Sequence, residues 1–235
     1  MAKLQFPGNT RSRRRTRRTS NAGRKPSRRP EGKPKSERLP WVTPYQLLWA
    51  AIGLLLTISG TLVEAFVTNS PWQWSQQGIQ PQSLGVTCQI GAVLLVGCLG
   101  GKKAGAIAQI AYVILGLTGL YPVFTQGGGW RYLLEPTFGY IIGFIPGAWL
   151  CGWLAFRRKP KLETLAFSCT IGLFAVHLVG IAYLSGLHLL SHPGGERALL
   201  VGAIEKYSLN PLASQFAIVC AVSLIGYILR RILLY

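Results

Sequence analysis

The chain has 235 residues, of which 49% are apolar, its mean hydropathy is +0.32, and it contains no Asp. Such a composition indicates a membrane protein with several spans and disfavours a soluble globular domain. The net charge of +18 is typical of nucleic-acid binding, but 14 of the 25 Lys and Arg residues precede Pro40, so the excess charge belongs to one segment.

The N-terminal segment, residues 1–40, is rich in Arg, Ser, Pro, Gly and Asn and shows no apolar periodicity. It is predicted to be a disordered basic tail on the cytoplasmic side, because it cannot bury enough apolar surface to offset its ordering entropy. Three interpretations stay open: an anchor near anionic lipid, a nucleic-acid contact, or no specific role. It lacks an apolar run before a cleavage site, so we do not expect a secretory signal peptide.

Residues 41–235 are predicted to form an all-α membrane domain with six transmembrane helices. A span needs about 20 apolar residues. The windows that meet or approach this need are residues 45–67, 84–100, 104–120, 136–156, 164–187 and 212–234. The second and third are short, and at about 1.5 Å per residue they barely cross a hydrocarbon core.

The basic residues outside the tail fall between spans and at the end of the chain. Lys102 and Lys103 separate spans two and three. Four basic residues within 157–161 separate spans four and five, and Arg230 and Arg231 end the sixth. All of these clusters lie on one side if both termini are cytoplasmic, as the positive-inside rule favours. We therefore expect an N-in, C-in topology.

The predicted outer face consists of loops 68–83, 121–135 and 188–211, and the middle loop is the most distinctive. It is rich in Gly and aromatic residues and carries Arg131 and Glu135, a composition suited to closing over a small molecule. Arg131 either anchors at the membrane interface or binds the carboxylate of an anionic ligand. Glu135 stabilises a helix start, accepts hydrogen bonds from ligand N–H groups, or does both.

Polar residues within the spans are further candidates. Gln89, close to Thr87, lies in the outer half of span two, and Gln215 lies near the start of span six. A buried amide needs partners in lipid, so each Gln bonds a neighbouring helix or faces a ligand cavity. His177 is interpreted as a packing residue of span five rather than a proton relay. Glu64, near the outer end of span one, is either functional or simply hydrated.

The cysteine pattern argues against a metal site or cofactor, and the absence of catalytic motifs argues against an enzyme. No CxxC pair and no metal-binding Cys/His spacing occurs, so the five cysteines are expected to be buried, inert thiols, with no metal site and no cofactor. They are Cys88, Cys98, Cys151, Cys169 and Cys220. The sequence also lacks a phosphate-binding loop and the HExxH and GxSxG motifs. We therefore expect no enzyme activity and no ATP hydrolysis by this chain.

The middle loop and its flanks resemble a known family. Residues 116–124 read Gly-Leu-Thr-Gly-Leu-Tyr-Pro-Val-Phe, a Gly cluster follows, and residues 133–144 read Leu-Leu-Glu-Pro-Thr-Phe-Gly-Tyr-Ile-Ile-Gly-Phe. This order resembles the BioY family, the biotin-binding S components of energy-coupling-factor transporters, whose pattern is roughly GLPVF, a Gly-rich loop and GPTGGYLxGF. Residues 87–89 (Thr-Cys-Gln) and 101–105 (Gly-Lys-Lys-Ala-Gly) resemble the family's TLQ and G-P-R-R-G segments. The resemblance covers residues 84–156 well, and the six-span order extends it to the whole hydrophobic region.

The sequence departs from the family pattern at several positions. Glu135 and Phe138 replace usual glycines. The family often has PFLPGDLLK near span six, where this chain has residues 210–218, with Gln215 in place of the acid and no following Lys. This puts the family's acidic and basic contacts from that region in doubt here, although Glu135 or Arg131 can compensate. Such departures are typical of a divergent branch, such as the cyanobacterial one.

The resemblance implies an S-component-like helical bundle in the bacterial cytoplasmic membrane that captures biotin with high affinity on the extracytoplasmic face. Its expected partners are a transmembrane coupling subunit and two cytoplasmic ATPase subunits, since the chain has no ATPase of its own. Two alternatives remain: an S component for another small vitamin-like molecule, and a membrane anchor whose Arg-rich tail tethers nucleic acid or a complex.

Biotin offers a ureido ring with two N–H donors and one carbonyl, an apolar thioether ring and an anionic valerate tail. A site therefore needs acceptors, donors, apolar walls and one cation, beneath a cap formed by residues 127–129. The predicted acceptors are Glu135, Gln126 and Gln215, and the predicted donors are Gln89 and Tyr140. The predicted aromatic walls are Phe124, Trp130 and Tyr183, and the predicted cation is Arg131. Thr87 and Gly128 are the remaining predicted contacts.

The resemblance and the charge of Arg131 together generate one prediction. Arg131→Ala is expected to weaken biotin binding by more than tenfold, about 1.4 kcal/mol, because the valerate loses its cation. Titration of the purified variant with biotin measures the effect, and unchanged affinity would discard the assignment.

Overall fold

The structure is a computed structural model that describes residues 42–125, 127–191 and 197–233. The predicted basic tail, residues 1–40, and the predicted site residue Gln126 lie outside these residues. The described elements in chain order are α1 (Pro44–Leu62), β1 (Glu64–Thr68), α2 (Trp74–Gln77), β2 (Pro81–Thr87), α3 (Gln89–Thr118), α4 (Phe138–Ala155), α5 (Leu162–Ser191), α6 (Arg197–Ile204) and α7 (Asn210–Leu233).

Helix α1 begins at a capping box and ends earlier than predicted. The Thr43 hydroxyl accepts a hydrogen bond from the Gln46 backbone N–H, and the Gln46 side chain accepts one from the Thr43 backbone N–H. Pro44 occupies the first turn, where its missing N–H costs nothing. The helix ends at Leu62, so the predicted extension of span one to residue 67 is wrong.

A β-hairpin follows α1, and it corrects the all-α prediction. Strands β1 and β2 pair antiparallel, with Phe66 opposite Ser83 and Thr68 opposite Pro81. The β-branched residues in both strands favour this extended conformation, whereas a hydropathy window reads them only as apolar. Glu64 therefore lies in a strand, exposed and accepting a hydrogen bond from the Ser83 hydroxyl, rather than inside a span.

Helix α3 reverses its direction at Gly101. This residue has φ +78°, outside the helical region, and Gly adopts that conformation without a steric penalty. The Gln89 side-chain nitrogen lies 2.8 Å from the Tyr112 hydroxyl although the two residues are 23 apart. In a straight helix they would be about 35 Å apart. The segments before and after Gly101 are therefore two antiparallel arms of one hairpin.

Five helices are long and apolar enough to cross a membrane, counted over the described part of the chain. They run over Pro44–Leu62, Gln89–Thr118, Phe138–Ala155, Leu162–Leu190 and Ala198–Leu233. The prediction of six differs because predicted spans two and three are the two arms of α3. Residues 197–209, predicted as part of an outer loop, instead form α6 and a five-residue π-helix, Glu205–Leu209, that leads into α7.

The bundle packs closely because glycines face neighbouring backbones. A Cβ built on Gly97 would lie 2.8 Å from the Ala148 carbonyl oxygen, which brings α3 against α4. A Cβ on Gly143 would lie 2.8 Å from the Val176 carbonyl oxygen, which brings α4 against α5. Small residues permit such backbone approach in membrane bundles.

We expect Gly143→Ala to lower the free energy of unfolding by about 1–3 kcal/mol, because the added methyl group meets backbone rather than a movable side chain. Thermal unfolding in detergent measures the change. The control is Gly186→Ala in α5, where a Cβ meets nothing within 4 Å. A Gly143 variant as stable as this control would contradict the packing argument.

Candidate functional site

A cavity of about 240 Å³ lies where the start of α3, the middle loop, α4, α5 and the π-helix meet. It is slightly smaller than typical small-molecule pockets, which hold about 300–1,000 Å³. Its lining combines apolar side chains with hydroxyl, amide and imidazole groups. The lining residues are Val86, Thr87, Gln89, Ile90, Thr125, Tyr132, Thr137, Tyr140, Ile141, Phe144, Val176, His177, Tyr207, Pro211 and Gln215.

One wall is organised by the Tyr112 hydroxyl. Gln89 donates to this hydroxyl at 2.8 Å, and the hydroxyl donates to the Val123 carbonyl at 2.8 Å. The Thr61 hydroxyl of α1 lies 3.3 Å from it. These bonds hold the Gln89 amide nitrogen in place, which leaves its oxygen available to a ligand in the cavity.

A second part of the lining is built by α4, α5, α7 and the π-helix. The His177 Nε2 atom lies 2.7 Å from the Gln215 Oε1 atom, and its Nδ1 atom is buried without a partner among the described residues. The Tyr140 hydroxyl lies 2.6 Å from the Ser208 hydroxyl, and the Tyr140 and His177 rings pack edge to face. Since an unpaired buried polar atom is costly, Nδ1 is a candidate for bonding a ligand or water.

The middle loop folds over the end of α3. Phe124 and Gly127 exchange backbone hydrogen bonds of 3.0 and 3.1 Å, and the Gly129 N–H donates to the Gly116 carbonyl at 2.8 Å. Gly127 and Gly129 have φ +117° and +89°, a region that favours glycine. Below the loop, Phe124 packs on Tyr132 with ring centroids 4.7 Å apart. The predicted Gly-rich cap is therefore a turn with defined hydrogen bonds.

Ten of the eleven predicted site residues lie in the described part of the chain, and they separate into three groups. Four line the cavity: Thr87, Gln89, Tyr140 and Gln215. Phe124 is buried behind the lining, and the Tyr183 hydroxyl donates to the Leu133 carbonyl while its ring packs on Phe138.

The remaining predicted residues belong to the middle loop. A Cβ on Gly128 would lie 2.8 Å from the Gly116 carbonyl oxygen. Trp130, Arg131 and Glu135 have exposed side chains that do not line the cavity. Arg131 directly precedes Tyr132, which does line it. Roles in binding for these residues therefore stay predictions.

Sequence reasoning missed several lining residues. His177 was interpreted as packing, but it lines the cavity beside Gln215. Tyr132 and Thr137 also line it, and the Tyr132 hydroxyl lies 3.1 Å from the Thr137 hydroxyl. Their position beside the Gly-rich loop was an available signal. The sequence offered no signal for Tyr207, because it was predicted to lie in a loop, whereas the structure places it in a π-helix.

The cavity is electrically neutral. Its lining includes no Lys, Arg, Asp or Glu side chain from the described residues. A charged ligand must therefore keep its ionic end near the opening, where water still solvates it, because burying an unpaired charge is very costly. The arrangement suits a small, mostly apolar molecule with a neutral hydrogen-bonding head.

A sequence profile described as the BioY family matches residues 41–233. The chain belongs to the BioY family. The expected resemblance is thereby confirmed, and with the five apolar helices it makes the chain a multi-pass membrane protein of a transporter family rather than of an enzyme class.

Curated relatives include the probable biotin transporter BioY of Lysinibacillus sphaericus, 35% identical over 150 residues, which are 62% of this chain and 74% of the relative. An uncharacterized 21.2 kDa protein of Cyanophora paradoxa is 28% identical over 195 residues, 80% of this chain and 96% of the relative. The biotin transporter BioY of Thermotoga maritima is 40% identical over 100 residues, 42% of this chain and 58% of the relative.

A solved structure has the same fold. The crystal structure of the S-component for biotin from an ECF-type ABC transporter aligns with a TM-score of 0.59. The alignment covers 79% of this chain and 90% of that chain, at 21% identity.

Tyr112→Phe tests the bonding of the cavity wall. Loss of the hydroxyl leaves the Val123 carbonyl and the Gln89 amide without their partner, so we expect the free energy of unfolding to fall by about 1–3 kcal/mol. Thermal unfolding of the purified variant measures this. The control Tyr121→Phe alters a side chain that is 66% exposed, and equal stability of both variants would refute the proposed role of Tyr112.

Proposed function

We propose that the chain is the biotin-binding S component of a transporter, which captures biotin on the extracytoplasmic face of the membrane. The observation that carries the proposal is the neutral cavity, lined by polar groups from several elements, within a region matched by the BioY family. Relatives named as biotin transporters, and a fold shared with an S-component for biotin, support the same ligand.

The two walls of the cavity complement the two ends of the ureido group. The Gln89 and Thr87 oxygens accept from the ureido N–H groups on one wall. On the other wall, the His177–Gln215 pair offers a further donor or acceptor, according to the imidazole tautomer. The apolar side chains between them suit the thioether ring. They are Ile90, Ile141, Phe144 and Val176.

The valerate carboxylate points toward the opening in this proposal, because the described lining offers it no cation. Arg131 lies next to the lining residue Tyr132 on the short 3₁₀ turn Trp130–Leu134. It is the cation that we propose to bind the carboxylate when the loop closes on the ligand. Glu135, Trp130 and Gln126 remain proposed contacts from the same loop.

The membrane arrangement that we propose has six crossings, with each arm of α3 as one crossing and both termini in the cytoplasm. The lysines beside the Gly101 reversal support a cytoplasmic position for that turn, since basic residues favour the cytoplasmic side. The cavity, at the other end of the arms, then faces outward. The membrane is proposed to be the cytoplasmic membrane of a bacterium, of the cyanobacterial branch.

Delivery inward requires partners, because the chain has no recognisable ATPase motif. We propose a transmembrane coupling subunit and cytoplasmic ATPase subunits in that role, with biotin as the transported ligand and no cofactor. The lipid bilayer is the remaining partner, and nucleic acid is not expected to be one.

The altered residues near Gln215 favour a second candidate, an S component for a different small vitamin-like molecule. A ligand panel separates the two, since a true ligand raises the melting temperature with concentration.

The alternative in which the basic tail tethers nucleic acid or a complex concerns residues outside the described part of the chain. Deleting residues 1–40 tests it, because biotin uptake should survive if the chain is a transporter.

Gln89→Leu is expected to weaken biotin binding at least tenfold, because it replaces the amide at the neutral wall with an apolar group of similar size. Isothermal titration of the purified variant measures the affinity. The matched control is Gln82→Leu, an exposed residue of β2 outside the cavity lining. If both variants bind biotin as the unmodified chain does, the cavity is not the biotin site.

Measuring the effect of Arg131→Ala with two ligands distinguishes the loss of a carboxylate contact from a change in loop structure. Loss of a carboxylate contact should weaken binding of biotin more than tenfold but leave binding of biotin amide, which has no charge, unchanged. Equal losses for both ligands would assign Arg131 to loop structure instead.

A further inference from the structure

Three cysteine side chains from different helices meet in the core of the bundle. Cys98 of α3 lies 3.4 Å from Cys169 of α5 and 3.6 Å from Cys151 of α4, measured between sulfur atoms. The third side of the triangle, from Cys151 to Cys169, is 3.9 Å. All three residues have an exposed fraction of 0%. Among the described residues, these three cysteines are a group of potential metal ligands whose ligand atoms all lie within 4.8 Å of one another.

The triangle has nearly the dimensions of a three-coordinate metal site. Metal–sulfur bonds of about 2.3 Å place three sulfurs in a trigonal plane about 4.0 Å apart. The observed sides are a few tenths of an ångström shorter, so an ion needs only a small expansion. The three residues are free cysteines, and their sulfur atoms are too far apart to be bonded as a disulfide.

The ligand set determines which ions fit. Sulfur ligands select soft ions such as Cu(I) and disfavour Mg²⁺ and Ca²⁺, which require oxygen. Structural Zn²⁺ almost always takes four ligands, whereas three thiols converge here. Three buried sulfurs therefore fit Cu(I) better than Zn²⁺.

A buried cation lies about one helical turn away from the thiols. Gly226 of α7 packs toward Cys98, with its built Cβ 3.6 Å from the Cys98 Cβ. Arg230, one turn further, is 1% exposed and donates to the Ala155 carbonyl at 2.8 Å. Ala155 is itself one turn beyond Cys151. The Arg230 Nε atom has no hydrogen-bond partner among the described residues.

This guanidinium can partly balance the charge of a loaded site. When one Cu⁺ binds three thiolates, three S–H protons are released, and the copper–sulfur group carries a charge of −2. The +1 charge of Arg230 halves this charge, which matters because an unpaired charge in a low-dielectric interior is strongly unfavourable.

A second cavity lies beside residues that adjoin the cluster along the chain. It is lined by Leu99 and Gly152, which directly follow Cys98 and Cys151, and by Gly101 at the reversal of α3. Lys102, Lys103 and Arg157 also line it. These cations repel a free metal ion but attract an anionic thiolate complex, so delivery by thiol exchange fits the charges.

We propose that Cys98, Cys151 and Cys169 form a binding site for one Cu(I) ion, loaded from an anionic thiol complex. The bound ion ties α3, α4 and α5 together at a point separate from the biotin cavity. This assignment revises the expectation from sequence that these thiols are inert.

The test uses the purified full-length chain under anaerobic conditions, with Cu(I) presented as its glutathione complex. We expect one copper per chain after desalting, three sulfur ligands by X-ray absorption, and a higher melting temperature. Cys151→Ala should lose the retained copper. Cys220→Ser should keep it, because Cys220 is exposed and lies outside the cluster.

Several results would overturn the proposal. They are no copper retained by the unmodified chain, nitrogen or oxygen ligands in its absorption spectrum, or copper retention unaffected by Cys151→Ala. Stronger retention of Zn²⁺ than of Cu(I) in a parallel experiment would overturn the choice of metal. The spectrum of the unmodified chain decides the ligand set even if the alanine variant fails to fold.

Discussion

The Tyr112 hydroxyl joins parts of the molecule that are distant in sequence. It accepts a hydrogen bond from Gln89 on the other arm of α3, donates to Val123 in the middle loop, and lies 3.3 Å from Thr61 of α1. These contacts need the reversal at Gly101, because only antiparallel arms bring Gln89 and Tyr112 together. The cavity wall, the position of the loop and the packing of α1 therefore depend on one hairpin and on the hydroxyl that bridges it.

Much of this arrangement could be predicted from the sequence, where charge and hydropathy carry the information. Lys102 and Lys103 were predicted to separate spans two and three, and the chain reverses beside them at Gly101. In-span amides are costly without partners, and Gln89 and Gln215 do line the cavity. The β-hairpin was missed because short β-branched strands and helix ends have similar hydropathy. The role of His177 was missed because nothing local indicates that Gln215, 38 residues away, bonds to it.

The distribution of charge divides the bundle into regions with different chemistry. Around the candidate biotin cavity, the described lining is neutral and its hydrogen-bonding groups are amides, hydroxyls and one imidazole. Around the second cavity, Lys102, Lys103 and Arg157 supply positive charge, and the Arg157 guanidinium stacks on Trp153 at 3.6 Å. A neutral site recognises shape and hydrogen bonding, whereas a cationic one attracts anions over a longer range.

The π-helix Glu205–Leu209 makes the cavity sensitive to the number of residues in the chain as well as to their identity. An i→i+5 turn accommodates one residue more than an α-helical turn. Removing that residue would allow a continuous α-helix from α6 into α7 with both helices near their present phase, because the wider turn absorbs the extra residue locally. Tyr207 and Ser208 would then face new directions, so relatives that differ by one residue here can reshape the binding surface without losing the helix.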